Sequence, residues 1–153
     1  MSLYLHFIYS FLATMGFCIF FNVPKKDILY GSITGSIGWT LYTYLNGITN
    51  SASLSSFIGA TVIGLLGEIF ARTNKKPVTV FIIPGIVPLV PGYGMYLTML
   101  DIINNDFYSA AKTGSDTIFV AGSIAIGVVL VSSTSKLFKK IRLISKIPLL
   151  KNK

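Results

Sequence analysis

Five stretches of the chain, residues 3–22, 28–48, 52–71, 78–100 and 117–135, contain no lysine or arginine. Each is close to the roughly 20 residues an α-helix needs to cross about 30 Å of hydrocarbon. In lipid the backbone must pair its own donors and acceptors, and a helix does so within one segment. With 52% of 153 residues hydrophobic and 12% charged, the class follows. The chain is expected to be an all-α integral membrane protein of five transmembrane helices, the fourth broken. Residues 1–135 form one five-span domain, and 136–153 form a basic tail with an interfacial helix.

The placement of charge orients these spans. Lys25 and Lys26 lie between the first and second, and Arg72, Lys75 and Lys76 between the third and fourth. Seven more basic residues follow the last span, so five crossings put twelve of thirteen basic residues on one side. The positive-inside rule makes that side the cytoplasm and leaves the N-terminus outside a plasma membrane. A re-entrant fourth segment would instead send the basic tail outside. Residues 1–24 carry no Lys or Arg, so they lack the charged start of a cleavable signal peptide and read as a retained span. The tail sequence KLFKKIRLISKIPLLK has Leu137, Ile141 and Ile144 at helical spacing among lysines. It suits either anionic lipid or docking on a partner subunit.

Several functions are disfavoured. The net charge of +8 is not arranged as an aromatic-interleaved patch on a soluble face, so nucleic acid is not an expected partner. Cys18 and His6 stand alone, which gives neither a disulfide nor a metal site, and no cofactor is implied. There is no phosphate loop, carboxylate pair or Ser/His/Asp set, so the chain does not read as an enzyme.

Small residues recur at helical spacing: Gly31 and Gly35, Ala60 and Gly64, Ala121 and Ala125. Such faces let helices approach closely where lipid gives no hydrophobic drive to associate. Tyr4, Tyr30, Tyr44 and Tyr108 fall near span ends, as interfacial rings do, whereas Trp39 and Tyr42 fall deeper.

The fourth span, VTVFIIPGIVPLVPGYGMYLTML, carries Pro84, Gly85, Pro88, Pro91, Gly92 and Gly94 at its centre. Each proline removes a donor and obstructs the carbonyl four residues earlier, so the helix is expected to unwind there. Opened backbone at membrane depth is tolerated only against protein or a polar cavity. Half-helix termini exposed in this way bind anions at amide ends and cations at carbonyl ends. Pro84, Gly85, Pro88, Pro91, Gly92, Tyr93 and Tyr96 are therefore the candidate substrate-binding and gating residues. A kink serving packing alone is the alternative. Asn22 either hydrogen-bonds the opened backbone or caps against Pro24. Glu68, the sole carboxylate inside a span, is either a proton carrier or, four residues before Arg72, half of a helical ion pair.

The segments FFNVPKK, GSITGSIGW and above all IPGIVPLVPGYGMYLTM resemble the threonine/serine exporter family. They match its small membrane subunit, equivalent to the second half of single-chain members. The resemblance implies a secondary exporter of a small-molecule substrate: threonine and serine, or a dicarboxylate such as succinate in some split members. It also implies a larger companion subunit with a hydrophilic N-terminal domain. A homo-oligomeric channel and a structural membrane subunit are the other readings.

Overall fold

The computed structural model describes residues 2–144, with side chains through Ser135. Six helices appear in chain order: α1 (Leu3–Phe20), α2 (Ile28–Thr49), α3 (Ala52–Asn74), α4 (Thr79–Ile86), α5 (Gly92–Ile103) and α6 (Phe107–Ile144). A single 3-10 turn, Val87–Leu89, joins α4 to the break before α5.

Helix ends explain the short connections. Asn22, Asn50, Lys75 and Asn105 all adopt left-handed backbone, with φ between 51° and 61°. At α1 the Val23 amide reaches back to the Cys18 carbonyl at 2.9 Å and the Asn22 amide to Ile19 at 3.0 Å. This is the Schellman closure of a helix C-terminus, and asparagine tolerates it better than most residues. No glycine has positive φ. Ten of the fourteen glycines sit where an added Cβ would meet a neighbouring helix.

Neighbouring helices run in alternating directions. Gly35 of α2 faces Thr14 of α1, and Gly31 faces Cys18, so these two are antiparallel. Gly38 meets Ile63, while Tyr30 lies 5.0 Å from Phe70, ring to ring, so α2 and α3 are also antiparallel. Along α4, Ile82 abuts Gly67, Gly85 abuts Ile63, and Leu89 abuts Gly59, again opposite to α3. Helix α6 runs parallel to α3: Gly127 meets Phe57 and Thr61, Val131 meets Gly64, and Ser135 meets Arg72. Helix α5 lies antiparallel on α6, with Gly94 against Thr117 and Gly114 against Thr98.

Burial of hydroxyls is made tolerable locally. Ser32 and Thr34 are fully buried, yet each donates to a carbonyl one turn back, at Ile28 and Tyr30, at 2.8 Å. Thr14 does the same toward Ser10. A hydroxyl satisfied within its own helix can face another helix without an orphaned proton.

The span count differs from five on length and apolarity. Leu3–Phe20, Ala52–Asn74 and Phe107–Ser135 are each long and apolar enough to cross, and α4 with α5 makes a fourth if the bent pair is one span. Helix α2, with 22 residues, reaches about 33 Å at 1.5 Å per residue and is long enough. It falls short in apolarity, because its buried face is Gly31, Ser32, Thr34, Gly35, Ser36 and Gly38. The chain is a multi-pass, all-α membrane protein with three to four spans by that standard. Helix α6 continues unbroken to Ile144. Residues 145–153, half of the tail 136–153 expected to hold the interfacial helix, lie outside the described residues.

Candidate functional site

The break in the penultimate segment is more local than the three prolines suggest. Pro84 sits inside α4 without ending it. Its missing amide releases one carbonyl, and the helix tolerates that. The chain then tightens into the 3-10 turn containing Pro88, where the Val90 amide reaches the Val87 carbonyl at 3.2 Å. Pro91, at φ −78° and ψ 54°, forms a γ-turn in which the Gly92 amide meets Val90 at 2.7 Å. There the helix ends, and α5 leaves at 48°.

The two sides of this break differ in environment. Phe81, Ile82, Pro84, Gly85 and Leu89 are buried between α2 and α3. A Cβ built on Gly85 would lie 3.2 Å from Ile63 Cγ2 and 3.3 Å from Thr34 Cγ2, so glycine is what lets α4 approach both helices. Gly85 stands level with Ile63, the middle residue of α3, and Leu89 about 6 Å further at 1.5 Å per residue. Beyond the break, Gly92, Tyr93 and Tyr96 are exposed, and Pro91 is half-buried. Helix α5 buries no residue and rests chiefly on α6.

The candidate residues therefore form two groups and two outliers. Pro84, Gly85 and the half-buried Pro88 belong to the packed half, and Pro91, Gly92, Tyr93 and Tyr96 to the exposed half. Asn22 is at neither: it closes α1 at the end where α2 begins, exposed, with backbone rather than side-chain bonds. Glu68 lies on α3 toward the same end and forms the ion pair with Arg72, Oε2 to Nε, at 3.5 Å.

Two features escaped the sequence. Arg72 also donates through Nη2 to Ser135 of α6, 63 residues away, a contact that depends on α6 running parallel to α3. Together Glu68, Arg72, Thr61, Thr134 and Ser135 line a cleft of about 430 Å³ with apolar walls. Asp27 is buried at 3% exposure, and its Oδ2 has no hydrogen-bond partner among the described residues. In the string VPKKD it reads as part of a solvated charged loop, and only the fold of the α1–α2 turn reveals its burial.

Residues 6–134 match the family described as Threonine/Serine exporter, ThrE. The chain belongs to the threonine/serine exporter family. The match takes in most of α1, all of α2 to α5 and most of α6, including the whole break and every cleft residue but Ser135. A similar protein from Haemophilus influenzae, itself uncharacterized, is 26% identical over 131 residues. That alignment covers 80% of this chain and 44% of the relative, so the chain spans less than half the length of the protein it matches. No solved structure matches the chain.

Proposed function

We propose that this chain is the membrane half of a secondary exporter of small amino acids, completed by a larger companion subunit with a hydrophilic N-terminal domain. Its five helical passes alternate in direction, with the N-terminus outside and the basic tail on the cytoplasmic face against anionic lipid. The break between α4 and α5 is the gate. Its packed half is anchored by Gly85 and its other half is free to swing about Val90–Pro91.

The observation that carries this reading is the bent segment itself: a span buried on one side of a 48° break and open on the other. Helix direction supports the crossing. A segment returning to its starting side would leave α6 antiparallel to α3, whereas α6 runs parallel to it. The basic residues Lys25, Lys26, Arg72, Lys75 and Lys76 also gather at one end of the bundle, where α1 and α3 finish and α2 and α4 begin. A companion is supported by the bare face of α5, where Tyr93, Met95, Tyr96 and Met99 are all exposed. The relative's greater length agrees with it. A second copy in the companion's place, forming a pore, is the alternative arrangement for that same face.

Export measured in cells carrying this chain, the companion, or both separates the readings. The expected result is efflux of threonine or serine only with both, abolished or slowed at least tenfold by Gly85→Leu and altered by Pro91→Ala. Dissipative flux from the purified chain alone would replace the exporter with the channel.

A further inference from the structure

We propose that the cleft between α3 and α6 is the site where a zwitterionic amino acid is loaded, its ammonium group on Glu68 and its carboxylate on Arg72. This rests on the exporter reading and adds to it a location, distinct from the break, and a charge rule for the substrate.

The cleft has the dimensions of a small-ligand site. At about 430 Å³ it falls within the roughly 300–1,000 Å³ usual for such pockets. Leu65, Ile69, Leu130 and Val131 form its apolar walls. It extends along α3 from Thr61, near mid-height, to Arg72 near the basic end, and is open on one side. On the proposed orientation that end faces the cytoplasm, from which an exporter must take its cargo.

Its charges are arranged as a pair rather than as a single sign. Glu68 and Arg72 approach through one 3.5 Å contact, not a two-point fork, with Glu68 19% and Arg72 59% exposed. An ion pair made through a single contact, with one partner largely exposed, contributes little to stability. The pair is therefore replaceable: an incoming ammonium group takes over the Glu68 carboxylate, and an incoming carboxylate takes over the guanidinium. Arg72 is held in place meanwhile by its bond to Ser135. Thr61 and Thr134 already give their hydroxyl protons to Phe57 and Leu130, which leaves oxygen lone pairs to accept from a hydroxyl on the cargo.

The same arithmetic of charge separates the two substrate classes. A zwitterion matches one positive and one negative group. A dicarboxylate satisfies Arg72 with one end but sets its second negative charge beside Glu68, and like charges at short range disfavour binding.

The test is radiolabelled threonine and succinate binding to the purified protein, with its companion where the two copurify, alongside export from cells. Wild type should bind threonine and not succinate. Glu68→Gln should weaken threonine binding at least tenfold while raising the affinity for succinate, a change in selectivity that a merely structural ion pair would not cause. Arg72→Gln should weaken threonine binding and gain none for succinate, and Glu68→Asp, unlike Glu68→Gln, should keep part of the threonine affinity. Leu130→Trp, which fills the cleft from its apolar wall, tests the site without touching either charge and should block threonine. Thermal melts check that each variant is folded. Unchanged threonine binding in Glu68→Gln and Leu130→Trp would overturn the site while export by wild type kept the exporter reading intact. Occupation by anionic phospholipid, seen as vesicle phosphatidylglycerol bound through Arg72 and undisplaced by threonine, would overturn it as well. Absence of wild-type export with the companion present would remove the parent reading instead.

Discussion

The parallel contact between α3 and α6 determines both the helix directions and the cleft, and one glycine tests it. A Cβ built on Gly127 would lie 2.8 Å from the Phe57 carbonyl oxygen, 3.0 Å from Thr61 Oγ1 and 3.2 Å from the Thr61 amide nitrogen. Carbon and oxygen ordinarily approach no closer than about 3.3 Å, so Gly127→Ala requires α6 to retreat by roughly half an ångström. The obstacle is backbone and cannot rotate away. Nor is α3 free to yield, because its Gly59 is pressed against the Gly38 carbonyl of α2, 3.1 Å from an added Cβ. Overpacking of this kind costs about 1–3 kcal/mol. Gly→Ala in a helix also returns up to about 1 kcal/mol, which would blur the result. Gly122 removes that ambiguity, since it lies five residues earlier in α6 and an added Cβ there meets nothing within 4 Å. The difference between Gly127→Ala and Gly122→Ala is then the contact cost itself. Unfolding in mixed micelles, followed by circular dichroism, should give Gly122→Ala as stable as wild type or more so. Gly127→Ala should fall about 1–3 kcal/mol below it, with Gly127→Val lower still. Equal stability of the two alanine variants would refute the α3–α6 packing, and with it the cleft.

Two further outcomes are expected. A Cβ on Gly31 would lie 2.7 Å from the sulfur of the buried Cys18, so Gly31→Ala should destabilise. Cys18→Ala should rescue it, with a coupling of roughly 0.5–3 kcal/mol in a double-mutant cycle. Additive effects would place α1 elsewhere. At the start of α6, the Ser109 amide donates to Asp106 Oδ1 at 3.0 Å, a cap that holds the Asp106 carboxyl below its ordinary range. A carboxyl with a depressed folded value contributes above its unfolded value, near about 3.9, and loses the contribution as pH falls through the folded one. Protection of the Ser109 amide from hydrogen exchange, relative to its intrinsic rate at each pH, should therefore fall on acidification through that window in wild type. In Asp106→Asn the protection should not change across it.

The sequence conveyed the membrane class, the helical segments and the location of the break, because each rests on a local signal. Runs without lysine mark spans, and prolines forbid amides whatever the fold. The extent of the break was less legible. Pro84 was expected to unwind the helix together with Pro88 and Pro91, yet α4 absorbs it, since burial between α2 and α3 stabilises the turn on both sides. Helix α2 was expected to cross because its run lacks lysine and arginine, but it falls short in apolarity. Its serines and threonines lower the hydropathy of the run while their hydroxyls bond within the helix, so the polar groups are present but already satisfied. The cleft was not legible at all. Glu68 and Arg72 announce a pair by spacing, but Ser135 and Leu130 join them only because α6 returns in the direction of α3.

That return gives α3 its position between the two proposed functional elements. One of its faces, Gly59, Ile63 and Gly67, meets the segment ahead of the break, and another, Thr61, Gly64 and Glu68, meets α6 and the cleft. On the first face the contacts set glycines against side chains, Gly67 against Ile82, Gly85 against Ile63 and Gly59 against Leu89. Packed interfaces of this kind switch between discrete arrangements rather than deform smoothly. On the proposed loading mode, a solute that parts Glu68 from Arg72 would change the second face directly. The gate proposed at Val90–Pro91 and the proposed loading cleft would need no contact with each other to be coupled, because both press on the same helix.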